Sequence, residues 1–191
     1  MGKITTSVSR IIRKNIGLIL LSFIIYLIGI PTGFVYFDKS QSAVNPVLEE
    51  IKELIKYESK FQMAINIFLN NLTSSLILFL SGTLIIIPAL ILFINGFLLG
   101  FILRLFIQKN LSLYLLLAVL LPHSLPELLA ICLSSGLGIR IGLSFICSKE
   151  NRVINVNKAI REGCFIYIVI VIPLLLLAAF LEVYVSASFI Q

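Results

Sequence analysis

One octapeptide, Leu121-Pro122-His123-Ser124-Leu125-Pro126-Glu127-Leu128, gathers most of the groups in this chain that could do chemistry. It holds the single histidine, two of the six prolines and the first carboxylate after Glu58, and apolar runs flank it on both sides. His123 and Glu127 are four residues apart, so on a helix they face the same way one turn apart. Such a pair can shuttle a proton, bind a cationic group, or satisfy itself as architecture together with backbone groups released by Pro122. Ionisable groups at membrane depth are costly, which makes this stretch the centre of the reading. Arg140 follows thirteen residues after Glu127, inside Gly138-Ile139-Arg140-Ile141-Gly142. Its flanking glycines admit a second helix at close range, and its guanidinium needs a partner, for which Glu127 and lipid phosphate are the candidates. Asn71, Asn95 and Glu182 complete the polar set; Glu182 is expected at the outer interface, partly hydrated.

The residues present weigh against turnover. A zinc membrane protease needs His-Glu-x-x-His, and the chain has one histidine. His123 with Ser124, Ser134 or Ser135 lacks the Gly-x-Ser-x-Gly turn of a serine hydrolase. No glycine-rich loop followed by Lys-Ser/Thr offers a nucleotide site. Cys132, Cys147 and Cys164 form no CxxC pair and sit in or beside apolar segments, so they read as small packing residues. No catalytic residue, metal or cofactor is expected.

The elements that must position these groups are membrane helices. Of 191 residues, 59% are hydrophobic and 13% charged, and the mean hydropathy is +1.09; soluble domains run to about 45–50% apolar and about 25% charged. The excess lies in runs long enough for a hydrocarbon core of about 30 Å. A polytopic, all-α transmembrane bundle of about five spans follows, as a single integral membrane domain. The net charge of +6 reflects bases clustered beside apolar runs, which fits topology and anionic lipid, not nucleic acid.

In order, residues 1–15 are basic without an acid and predict a cytoplasmic N-terminus. Ile16–Phe37 is a first span, loosened near its end by Pro31 and Gly33. Residues 38–66 form an extracytoplasmic amphipathic segment, in which Asn45-Pro46 suits a helix start. Residues 72–147 form a central core of broken helices. Within it Leu72–Ile94 is a span introduced by Asn70-Asn71, Asn95-Gly96 breaks the run, and Phe97–Ile107 is a half-helix or the tail of that span. Arg104, Lys109 and Asn110 are expected at the cytoplasmic face. Around Pro122–Gly142 the helices are expected to be broken or re-entrant, or else packed as two close spans. Gly96, Gly100, Gly136, Gly138 and Gly142 supply close-packing faces. A basic loop, 148–163, is cytoplasmic, and 164–186 holds the last span.

Asn70-Asn71 opening an apolar helix, Phe93-Ile94-Asn95-Gly96, Pro122-His123 followed by Glu127-Leu128, Gly136 with Gly138, and Leu181-Glu182 occur in an order that resembles the stage II sporulation protein M family. The resemblance covers roughly residues 60–190; Ser124-Leu125-Pro126 departs from it where a glycine after the histidine would be expected. It implies a multi-pass membrane protein of the cell membrane with no known catalytic activity of its own. The sporulation member acts with two envelope proteins that degrade peptidoglycan and looks like their membrane scaffold, and the family extends well beyond spore formers.

Two readings follow. One is a scaffold or assembly factor for envelope proteins, with partners in the bilayer itself, other membrane or envelope proteins, or a second copy of the chain. The other is a small transporter or channel that uses His123 and Glu127 near the midplane.

Overall fold

In this computed structural model the backbone is described for residues 2–55, 59–110, 112–147 and 151–186, and side chains for that set less 2–5, 47–55, 113, 115 and 147. Every element is helical: α1 (Gly2–Val35), α2 (Phe37–Ile55), α3 (Lys60–Leu80), α4 (Ile86–Gln108), α5 (Leu113–Cys147), α6 (Arg152–Ile166) and α7 (Ile172–Tyr184). A π-helical turn, Tyr167–Val171, joins α6 to α7 in one rod. Among the described residues, five helical stretches are long and apolar enough to cross a membrane: Thr6–Val35, Lys60–Thr83, Ile86–Gln108, Leu116–Ile146 and Arg152–Tyr184. The expected five-span all-α bundle is the observed class.

The spans are cut differently from the sequence expectation. Ser59 caps α3, its hydroxyl accepting from the Gln62 amide at 3.2 Å, so Asn70 and Asn71 lie within a helix and do not open one. The turn between α3 and α4 falls at Ser81–Thr83 and the two residues after it. It carries no charge, so it was invisible inside a long apolar run. Asn95 and Gly96 then sit in the middle of α4. There the Asn95 Nδ2 donates to the Ile91 carbonyl at 2.9 Å, keeping its polar group on its own helix.

The broken or re-entrant core is also corrected. Pro122 and Pro126 lie inside α5, which runs unbroken from Leu113 to Cys147. Because the prolines are four apart, the two missing amides fall on one line of the i→i−4 ladder, and the other lines carry the helix through. One helix therefore replaces both the hairpin and the pair of close spans.

Glycines set the packing. Gly29 and Gly33 of α1 meet the backbone of Phe93, Gly96 and Phe97 on α4, while Gly100 meets Ile30 and Phe34. Both helices thus present a small-xxx-small face to each other, and the residue numbers rise together, so α1 and α4 run parallel. Gly138 and Gly142 of α5 lie against Leu78, Phe79 and Gly82, and Gly136 lies against Ile19 of α1. The second cluster of contacts, Ile11, Phe79, Leu137, Ile141, Ala159 and Ile166 among them, ties α1, α3, α5 and the final rod together.

These contacts place Arg104 at the end of the bundle where α1 stops, with its guanidinium 5.4 Å from the Phe34 ring centroid. Arg104 and Lys109 are therefore opposite to Arg10, Arg13, Arg152 and Lys158, and the expectation that all these bases share one face is overturned. The missed α3–α4 turn adds a crossing before Arg104, which reverses its side.

Candidate functional site

The interior polar groups fall into layers along α5. In the layer nearer the α4–α5 turn, His123 Nδ1 lies 3.0 Å from Ser186 Oγ, just beyond α7. Among the described residues His123 and Glu127 make no hydrogen bond to each other, so the self-satisfying pair is not what forms. Pro126 and Glu127 follow on the same helix, and Glu182 of α7 is within electrostatic range of the Glu127 carboxylate. Glu182 is half-buried, so the last rod turns this acid toward the same layer.

Glu127 faces a cavity of about 160 Å³ bounded by α1, α4 and α5. Its polar lining is Tyr26, Asn95, His123, Ser124 and Glu127, and its apolar walls include Leu98, Leu99 and Leu128. Tyr26 is only 8% exposed, and among the described residues no hydrogen bond reaches its hydroxyl. The same holds for the Glu127 carboxylate and the Ser124 hydroxyl. Tyr26 lies nine residues from the end of α1, about 14 Å along the helix, which puts the cavity well inside the spans.

A family model described as stage II sporulation protein M matches residues 22–187. The chain belongs to that family. Comparison with curated proteins and with solved structures gives no match. The stretches by which the sequence resembles the stage II sporulation protein M family meet in three dimensions: Asn95, His123 and Glu127 share the cavity. Glu182 stands in electrostatic range of Glu127. Asn71 and the glycines Gly136 and Gly138 lie elsewhere, the glycines at the helix crossings of α5.

A second layer sits lower in α5. Arg140 Nη2 approaches Glu162 Oε2 at 2.5 Å, so its partner is neither Glu127 nor a lipid phosphate. The contact is an ion pair without aligned hydrogen bonds, since Arg140 Nη1 and Glu162 Oε2 are both buried without a hydrogen-bond partner among the described residues. Between the layers, Ser22 and Ser135 meet at 3.1 Å and Ser75 and Tyr167 at 2.7 Å.

Sequence reasoning missed Tyr26, Ser186 and Glu162. Glu162 did carry a signal, as the acid directly before Gly163 at the start of an apolar run. Tyr26 and Ser186 carried none, because only the helix pairing brings them to α5. Of the cysteines, Cys132 is buried and Cys164 exposed, and both are free; the side chain of Cys147 lies outside the described residues.

Proposed function

We propose that this family member is an integral membrane scaffold that holds cell-envelope partner proteins and performs no turnover of its own. The observation that carries the reading is the relation of α2 to α1. The Tyr36 amide donates to the Thr32 carbonyl at 2.9 Å and Ser40 to the Tyr36 carbonyl at 3.1 Å, so α2 continues α1 almost without a break. Its first turn rests on the bundle through Phe37, whose ring lies 4.5 Å from that of Phe101. Asp38, Lys39, Ser42 and Asn45 are exposed. An amphipathic arm held stiffly by a spanning helix suits the capture of a partner at the membrane surface. Exposed bases at Arg10, Arg13, Lys14, Arg152, Lys158 and Arg161 gather at the other end, which supports a cytoplasmic N-terminus and an arm on the outer side of the cell membrane.

The test is crosslinking in native membranes from cysteines placed at Asp38, Ser42 and Asn45, in a chain cleared of its own three cysteines. A discrete envelope-protein adduct is expected, and the adducts from Ser42 and Asn45 are lost when Asp38 and Lys39 exchange charge by double substitution. Reconstituted protein that moves an ion across vesicles, with the flux gone in Glu127→Gln, would replace the scaffold by a transporter.

A further inference from the structure

We propose that the cavity between α1, α4 and α5 is a binding site for a monovalent cationic group, held by the Glu127 carboxylate and the oxygens of Tyr26, Asn95 and Ser124. The inference goes beyond the scaffold reading and uses none of the residues of the α2 arm, so the two fail independently.

Oxygens dominate the polar lining, with the His123 imidazole beside them. Asn95 donates one Nδ2 hydrogen to the Ile91 carbonyl, which fixes the amide and leaves its side-chain oxygen, with one N–H, to the cavity. Tyr26 is 8% exposed as a residue, and its hydroxyl opens on the wall of the same cavity with no hydrogen bond among the described residues. A phenol oxygen left open toward a cavity offers an acceptor to an occupant that binds oxygen. Among the described residues the lining includes one carboxylate, one imidazole and neither lysine nor arginine; the imidazole's Nδ1 faces Ser186 Oγ, and a second acid, Glu182, stands in electrostatic range. A carboxylate at this depth needs a proton or a counter-charge.

Charge and size restrict the occupant. Calcium is held by six to eight oxygens, several of them carboxylates, and a lining with a single carboxylate favours a single positive charge. The volume of about 160 Å³ corresponds to roughly five waters at about 30 Å³ each. That accommodates an alkali ion with part of its hydration, or the ammonium or guanidinium head of a side chain brought in by a partner helix. The chemistry is shared by the two sources, and the experiment separates them.

Purified full-length protein in a neutral detergent is melted against sodium, potassium, methylammonium and guanidinium chlorides. N-methylglucamine chloride, too bulky for the cavity, holds the ionic strength constant. A second arm uses a synthetic transmembrane helix carrying one central lysine, compared with the same peptide carrying glutamine there. The expected result is a saturable rise in Tm with at least one of these probes, weakened at least tenfold in apparent affinity by Glu127→Gln and reduced by Tyr26→Phe. Response to the small ions assigns the site to a free cation; response to the lysine peptide alone assigns it to a partner's side chain. Leu99→Phe narrows the cavity from its apolar wall and leaves every acceptor in place, so it must also abolish the response. No shift with any probe in the wild-type protein, or a shift undiminished in both Glu127→Gln and Leu99→Phe, overturns the proposal.

Discussion

Gly100→Ala tests the helix contact on which the rest of the frame depends. A Cβ at Gly100 would overlap the Ile30 carbonyl oxygen, and it would lie 2.8 Å from the Ile30 carbonyl carbon and 3.0 Å from the Phe34 nitrogen. These are backbone atoms of α1, which cannot rotate aside as a side chain would. To clear the carbonyl oxygen to an ordinary separation of about 3.5 Å, the two backbones must part by roughly 1.5 Å at this point. Forcing extra volume into a fitted contact costs about 1–3 kcal/mol, while alanine regains up to about 1 kcal/mol of helix propensity over glycine. The expected net loss is about 1–2 kcal/mol, or roughly 3–6 °C in Tm for a chain of this size. Gly17 is the matched control, since a Cβ there meets nothing within 4 Å; Gly17→Ala should melt at or slightly above the wild-type temperature. Cys132 is a built-in reporter, being 3% exposed. In a Cys147→Ala, Cys164→Ala background, a fluorogenic thiol dye reads its exposure on heating. Equal melting of Gly100→Ala and Gly17→Ala would refute the reasoning.

Removing either partner of the Arg140–Glu162 pair leaves a charge in a poorly hydrated place, so Arg140→Ala and Glu162→Gln should each cost on the order of 3 kcal/mol. The double replacement by leucine should recover most of that loss, read by the same melting assay. Ser75→Ala and Tyr167→Phe should each cost about 1 kcal/mol, and the double variant should cost less than their sum, because the two hydroxyls share one bond. Full additivity would show that the two groups act separately.

The class and the number of spans were legible because hydrophobic length is a strong signal, and no soluble arrangement accommodates such runs. The boundaries were less so. In water a helix turn usually announces itself with charged residues, but Ser81-Gly82-Thr83-Leu84-Ile85 turns on small and apolar ones, with Gly82 and Thr83 packed against Gly138 and Gly142 of α5. Prolines misled in the opposite direction, since Pro122 and Pro126 suggested a break that a long packed helix tolerates. The candidate site was half legible: Asn95, His123 and Glu127 stood out as polar exceptions, and they do share a cavity. Their companions come from pairings between distant segments. Ser186 is an ordinary serine until α7 is laid antiparallel to α5, and Tyr26 an ordinary aromatic until glycines draw α1 against α4.

The same glycines connect the two ends of the functional argument. A load on α2 passes straight into α1, and α1 is held to α4 by backbone contacts at Gly29, Gly33, Gly96 and Gly100. Lower down it is tied to α5 through Ser22 and Ser135. Small residues facing each other leave no flexible layer in which one helix can slide past its neighbour, so the arm is only as rigid as that crossing. The cavity borders this load path, but Glu127 itself makes none of the glycine contacts that carry it. Adducts formed from Ser42→Cys should therefore fall at least severalfold in Gly100→Ala, where the crossing is forced open, and stay within about twofold of wild type in Glu127→Gln, compared at equal amounts of folded protein. The reverse ranking would mean that the acid, and not the helix crossing, governs how the arm is presented.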